Sequence, residues 1–220
     1  MSVKPVTRKK AILWDWNGTL LDDTDICVSC MNRLLEKREL SLLDKNRYRE
    51  IFTFPVKDYY EKVGFDFQKE AFEIPAMEFI RLYHEHLKEA DLFPCVEEVL
   101  QTFKDRGFYQ AVLSAMEHDS LVASLKDKGV YGFFDSVTGI DDHYAHSKLE
   151  MGRKLLSSLD FEPGEILFIG DSLHDLEVAG ALGVDCILVA NGHQAKERLL
   201  AATPDVVDKL KDVIGLFEDQ

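Results

Sequence analysis

The stretch KAILWDWNGTLLDD, Lys10 to Asp23, decides the fold. Four consecutive apolar residues, Ala11 to Trp14, show no polar alternation, the pattern of a strand covered on both faces in a parallel sheet. The run delivers a carboxylate, Asp15, into a turn that contains Gly18. Two residues beyond Asp15 the chain carries an amide, Asn17, rather than a second carboxylate.

Three more runs of the same kind follow: YQAVLSA at 109–115, EILFIG at 165–170 and DCILVA at 185–190. Helical patterns separate them. One opens at Pro94 and closes at Gly107; another, SKLEMGRKLLSSL, lines Leu149, Leu155, Leu156 and Leu159 on one stripe before Pro163 and Gly164. Strand then helix, repeated, predicts an α/β fold with a doubly wound, Rossmann-like parallel sheet. Residues 22–90 break the rhythm. They hold no convincing strand but three amphipathic patterns, the first marked by Ile26, Cys30, Met31, Leu34 and Leu35. The second starts at Pro55, and the third runs through Met77, Ile80, Leu82, Tyr83 and Leu87. An excursion of this length is too long for a loop. It predicts an all-helical cap, residues 22–90, inserted into a core made of residues 1–21 and 91–220 and lying over the carboxyl ends of the strands.

Composition narrows the partners. The chain has 220 residues, 26 Lys plus Arg against 40 Asp plus Glu, and a net charge of −14. Such a surface repels nucleic acid and anionic membranes, so neither is an expected partner. No apolar run approaches the roughly 18 residues that span a bilayer. Lys4, Arg8, Lys9 and Lys10 precede only four apolar residues, too few for a signal-peptide core, and the expected location is cytoplasmic. Cys27, Cys30, Cys95 and Cys186 are too scattered for a disulfide framework, and the CxxC at Cys27 and Cys30 lies in a helical pattern that favours core packing over zinc.

Several chemical groups end at one sheet edge in this reading. Asp15 follows the first strand, Ser114 ends the second, GDSLHD sets Asp171 and Asp175 after a later one, and AHSKLEMG puts Lys148 at a helix start. Clustered carboxylates repel one another unless a cation lies among them. Hard oxygen ligands beside a phosphate site suit Mg. His174 reads as a surface helix residue and Trp16 as a shield or as packing under the cap.

Taken together, these motifs resemble the haloacid dehalogenase superfamily of phosphatases, especially phosphoglycolate-phosphatase-like members with a helical cap after the first strand. DWNGTLLDD stands for DxDGT, VLSA for the strand that ends in Ser or Thr, Lys148 for the lysine and GDSLHD for GDxxxD. The resemblance implies a Mg-dependent phosphatase acting on a small phosphorylated metabolite. In it Asp15 is the nucleophile that becomes an aspartyl phosphate. Asp15, Asp171 and the main-chain carbonyl of Asn17 are implied Mg ligands, with Asp175 a ligand or a support. Ser114 and backbone N–H groups hold phosphate oxygens, and Lys148 balances charge.

Asn17 departs from the pattern. In those phosphatases the carboxyl at this place protonates the leaving alkoxide and then deprotonates water, and an amide does neither. Loss of such a group costs about 10²- to 10⁴-fold, most severely on poor leaving groups. Expected consequences are weakened activity on alkyl phosphates, retained activity on acyl or aryl phosphates, or proton transfer borrowed from Glu117 or His118. The alternative is a catalytically weak protein that binds a phosphorylated ligand in a regulatory role. Lys57, Tyr59, Arg47 and Arg49 are the cap residues expected to reach an anionic substrate.

Overall fold

The computed structural model describes residues 6–140 and 148–217; Lys4 and residues 145–147 lie outside them. In chain order, β1 (Ala11–Trp14) is followed by β2 (Leu21–Asp22), α1 (Thr24–Lys37), α2 (Lys45–Ile51), α3 (Val56–Lys62), α4 (Glu73–His86) and β3 (Asp91–Leu92). Then come α5 (Val96–Asp105), β4 (Tyr109–Glu117), α6 (His118–Asp127), β5 (Ser136–Ile140) and α7 (Lys148–Ser157). The chain continues through β6 (Ile166–Gly170), α8 (Leu173–Leu182), β7 (Asp185–Val189), α9 (Lys196–Ala202), β8 (Val206–Val207) and α10 (Asp212–Gly215).

β1 lies inside a six-stranded sheet of order β5-β4-β1-β6-β7-β8, and every adjacent pair is parallel. All four residues of β1 are buried. Their alternation divides them between the faces: Ile12 and Trp14 pack with Val99, Phe103 and Leu121 from α5 and α6, while Ala11 and Leu13 pack with Leu155 and Val178 from α7 and α8. Burial of each large side chain contributes on the order of 2–3 kcal/mol. The Trp14 indole N–H is satisfied by the Gln110 side-chain oxygen at 3.1 Å, so β1 carries no buried orphan donor there.

The four predicted strands occur at their predicted places, with β4 extended to Glu117. Two more, β5 and β8, complete the sheet's edges. In residues 22–90 the three predicted helices are α1, α3 and α4, and α2 is additional. β2 and β3, two residues each, pair antiparallel where the chain leaves the sheet and returns to it. Cys27 and Cys30 are free, buried thiols on α1. No helix among the described residues is long and apolar enough to cross a membrane.

Candidate active site

Parallel strands present their carboxyl ends on one edge, and there β1 delivers Asp15 and β6 delivers Asp171. Ligand oxygens of Asp15, Asp171 and Asp175 all lie within 4.8 Å of one another, and the three residues are buried. Local sequence dictates how each is held. In GDSLHD, Ser172 and Asp175 form a reciprocal capping box at the start of α8. Asp175 Oδ2 accepts from the Ser172 N–H (3.0 Å), the Ser172 hydroxyl (2.7 Å) and the Asp171 N–H (3.2 Å). Asp175 Oδ1 accepts from Lys148 Nζ at 2.6 Å. The same Nζ donates to Asp15 Oδ1 at 2.5 Å. Both Asp175 oxygens are thus engaged, as are both of Asp15, whose Oδ2 accepts the Thr19 hydroxyl at 3.2 Å.

Two glycines let the backbone close around Asp171. Gly18 has φ of +77°, and a Cβ there would lie 2.5 Å from Asp171 Oδ2. A Cβ on Gly192 would collide with the same carboxylate and with the Gly18 carbonyl. The His193 N–H donates to Asp171 Oδ2 at 2.5 Å.

Electrostatics record the crowding. Burial above all, then the like charge of Asp175, raises Asp15 to about 6 against the pull of Lys148. Burial, with Asp175 and Asp15 adding to it, raises Asp171 to about 7 despite His193 nearby. Asp175 also feels its burial, but Lys148 and Ser172 hold it below the usual carboxylate range. Two buried carboxylates whose charge the surroundings disfavour, within ligand distance of each other, form an oxygen donor set that fits a hard divalent cation such as Mg.

Ser114 lies within β4, buried, its hydroxyl accepting the Met116 N–H at 3.0 Å and pointing toward Asn17 Oδ1 at 3.5 Å. Asn17 enters a closed triangle. Its Nδ2 donates to Asp23 Oδ2 (3.0 Å) and to the Tyr83 hydroxyl (2.7 Å), and that hydroxyl donates to Asp23 Oδ2 (2.6 Å). Asp23 also accepts the Gly18 N–H at 3.0 Å and pairs with His193 Nε2 at 3.2 Å. Burial works against the imidazolium, yet Asp23 raises His193 to about 9, and its Nδ1 meets the Tyr48 hydroxyl at 3.0 Å.

Asp23, Tyr83 and His193 escaped the sequence reading. Asp23 stands inside the opening motif, as the second acid of LLDD, and His193 in the loop after β7; Tyr83 carried only a helical-stripe signal. Of the residues singled out for a proton, Glu117 caps α6 by accepting the N–H groups of Asp119 and Ser120, both at 2.9 Å. His118 is turned to the Gly139 N–H at 3.4 Å. Trp16 is buried, donating to the Ser124 hydroxyl at 3.2 Å. His174 is half-buried and stacks on Phe54, ring centres 4.5 Å apart.

Above the carboxylates a cavity of about 250 Å³ is lined by Asp15, Ser114, Lys148 and Asp171 on one side and by residues of α1–α4 on the other. Tyr59 lines it; Arg47, Arg49 and Lys57 do not. Arg47 pairs with Glu50, Lys57 lies over the Phe67 ring, and Arg49 donates to the Ala190 and Gln194 carbonyls.

This geometry accords with the comparisons to known proteins. Residues 12–189 match the haloacid dehalogenase-like hydrolase family, and the chain belongs to it. It is 28% identical over 214 residues to the probable phosphatase IndB of Dickeya dadantii, covering 94% of this chain and 93% of that protein. It is 24% identical over 200 residues to the phosphoglycolate phosphatase of Synechococcus elongatus, covering 89% and 91%. A haloacid dehalogenase-like family hydrolase from Streptococcus pneumoniae shares the fold, with a TM-score of 0.83 at 19% identity over 95% of this chain and 98% of that one.

Proposed function

We propose that the protein is a Mg-dependent phosphatase that hydrolyses a small phosphate monoester through a phosphorylated Asp15. The observation that carries this reading is the buried set of Asp15, Asp171 and Asp175 with Lys148 Nζ between Asp15 and Asp175. Asp15, Asp171 and the Asn17 carbonyl would hold the cation, which supplies charge neutralisation for the carboxylate and the incoming phosphate. A carboxylate oxygen of Asp15 attacks phosphorus, an O–P bond forms, and the bond to the leaving oxygen breaks with its electron pair. Lys148 keeps Asp15 ionised and offsets phosphate charge, and the Ser114 hydroxyl faces the phosphate oxygens. Water then attacks phosphorus, releasing inorganic phosphate and free Asp15. Asn17 contributes a hydrogen-bonding amide and no proton, so turnover is weakened for poor leaving groups. The phosphatase relatives support the reaction class.

The test is to incubate the protein with acetyl phosphate and Mg and to map the modification by mass spectrometry. Phosphorylation of Asp15, lost in Asp15→Asn and in chelator, is expected. A phosphoryl group on Ser114, or labelling that persists in chelator, overturns the reading. Absence of any phosphoenzyme, with phosphate still bound, favours the regulatory binding role.

A further inference from the structure

We propose, resting on the phosphatase reading, that the leaving group this site selects is an uncharged aromatic ring system, so that its substrates are aryl phosphates rather than small anionic alkyl phosphates. Three observations meet in this cavity. The first is its wall: Phe52, Phe54, Tyr59, Tyr60, Phe79 and Tyr83 present rings around the space above Asp15. These rings also pack against one another, as a core would; Tyr59, for example, meets Phe52, Tyr48 and Tyr60 edge-on. What a core lacks is space. Here about 250 Å³ stays open, more than the roughly 150 Å³ that accepts a benzene ring in an apolar cavity.

Charge is the second observation. A second anionic group on the substrate needs a cation when it is buried. Among the described residues the only Lys or Arg that lines the cavity is Lys148, and it is held by Asp15 and Asp175. His193 is held by Asp23. His174 lies stacked on Phe54, ring centres 4.5 Å apart. The remaining imidazole on the cavity wall is His84 of α4, which is solvent-exposed. The Tyr59 hydroxyl, by contrast, is buried without a hydrogen-bond partner, a neutral polar handle in an apolar wall.

Asn17 supplies the third. Its amide hydrogens are spent on Asp23 and Tyr83, and no carboxyl stands at that place to protonate a leaving oxygen. A phenolic oxygen, with an ordinary pKa of about 10, departs without one; an alkoxide does not.

Leaving-group chemistry alone favours aryl phosphates in rate, so the decisive measurement is binding of non-hydrolysable analogues with Mg. Calorimetry should show 1-naphthylphosphonate binding at least about tenfold more tightly than phosphonoacetate. Val56→Lys, which puts a cation on the cavity wall at the start of α3, should narrow or reverse that ratio. Equal or tighter binding of phosphonoacetate by the wild type overturns the inference, as does a failure of both to bind. Acetyl phosphate has no ring, so its labelling of Asp15 judges the phosphatase reading separately. Labelled Asp15 with a preference for phosphonoacetate removes the aryl inference alone; unlabelled Asp15 with any donor removes the reading beneath it.

Discussion

At residue 17 the amide is a fitted part and not merely a missing acid. A carboxylate substituted there would face Asp23 Oδ2 at the 3.0 Å now spanned by a donated hydrogen, and like charges at that range are strongly unfavourable. Asn17→Asp alone is therefore expected to destabilise the chelated protein by about 1–3 kcal/mol and to recover little activity on alkyl phosphates. The exchange Asn17→Asp with Asp23→Asn keeps one donor and one acceptor in the triangle with Tyr83. Denaturant midpoints of the two single variants and the double should show a favourable coupling of about 0.5–3 kcal/mol. The double variant should also turn over alkyl phosphates at least about tenfold faster than wild type. Strict additivity of the two changes would mean that the triangle carries no energy.

At the scale of elements, α2 is fastened to the loop after β7. The Arg198 guanidinium on α9 donates to the carbonyls of Arg49 (3.1 Å) and Phe52 (2.6 Å), and the Gln194 amide donates to Phe52 O at 3.0 Å. These are the terminal carbonyls of a seven-residue helix, which has few hydrogen bonds of its own to lose. Arg198→Ala should cost about 1–3 kcal/mol and raise hydrogen exchange across residues 45–55 more than in the sheet. Uniform exchange in both regions would contradict it. The same elements explain what the sequence conceals. β1 and β6 are continuous apolar runs because both faces are covered, and they read directly as strands. β5 is SVTGI on a sheet edge, largely half-buried, and such a segment offers neither a run nor a clean alternation. α2 buries only Tyr48 and Ile51, too little for a helical stripe. Asp15, Asp171 and Asp175 were legible because each lies in one contiguous motif. The Asp23, Tyr83 and His193 network was not, since it is assembled from the start of α1, from α4 and from a distant loop after β7.

For the whole molecule, the buried charges set how stability follows pH. Asp15 and Asp171 titrate near 6 and 7 in the folded chain. Unfolded carboxylates titrate at about 4, so between those values the folded chain holds more protons, and stability falls as pH rises through that window. His193, raised to about 9, acts in the same direction, its contribution being lost between about 6.5 and 9. Asp23 and Asp175 are lowered, and their contribution is complete above about pH 4. Melting temperature in chelator should therefore decline from pH 5 to pH 8. Added Mg competes with those protons, and its thermal shift should grow over the same range. A chelated protein more stable at pH 8 than at pH 5 would contradict the assignment.

The Asn17 triangle gives the closed arrangement a spectroscopic signature. Both partners of its Nδ2, Asp23 and Tyr83, belong to the stretch between β2 and β3, whereas Asn17 itself follows β1. An NH₂ group bonded to a carboxylate and a phenol is shifted and slow to exchange in proton–nitrogen NMR; the same group facing water is neither. One side-chain resonance pair of the nitrogen-15-enriched protein, assigned by its loss in Asn17→Ser, thus reads whether α1 and α4 are seated over the carboxylates, with no extrinsic probe attached and no charge altered.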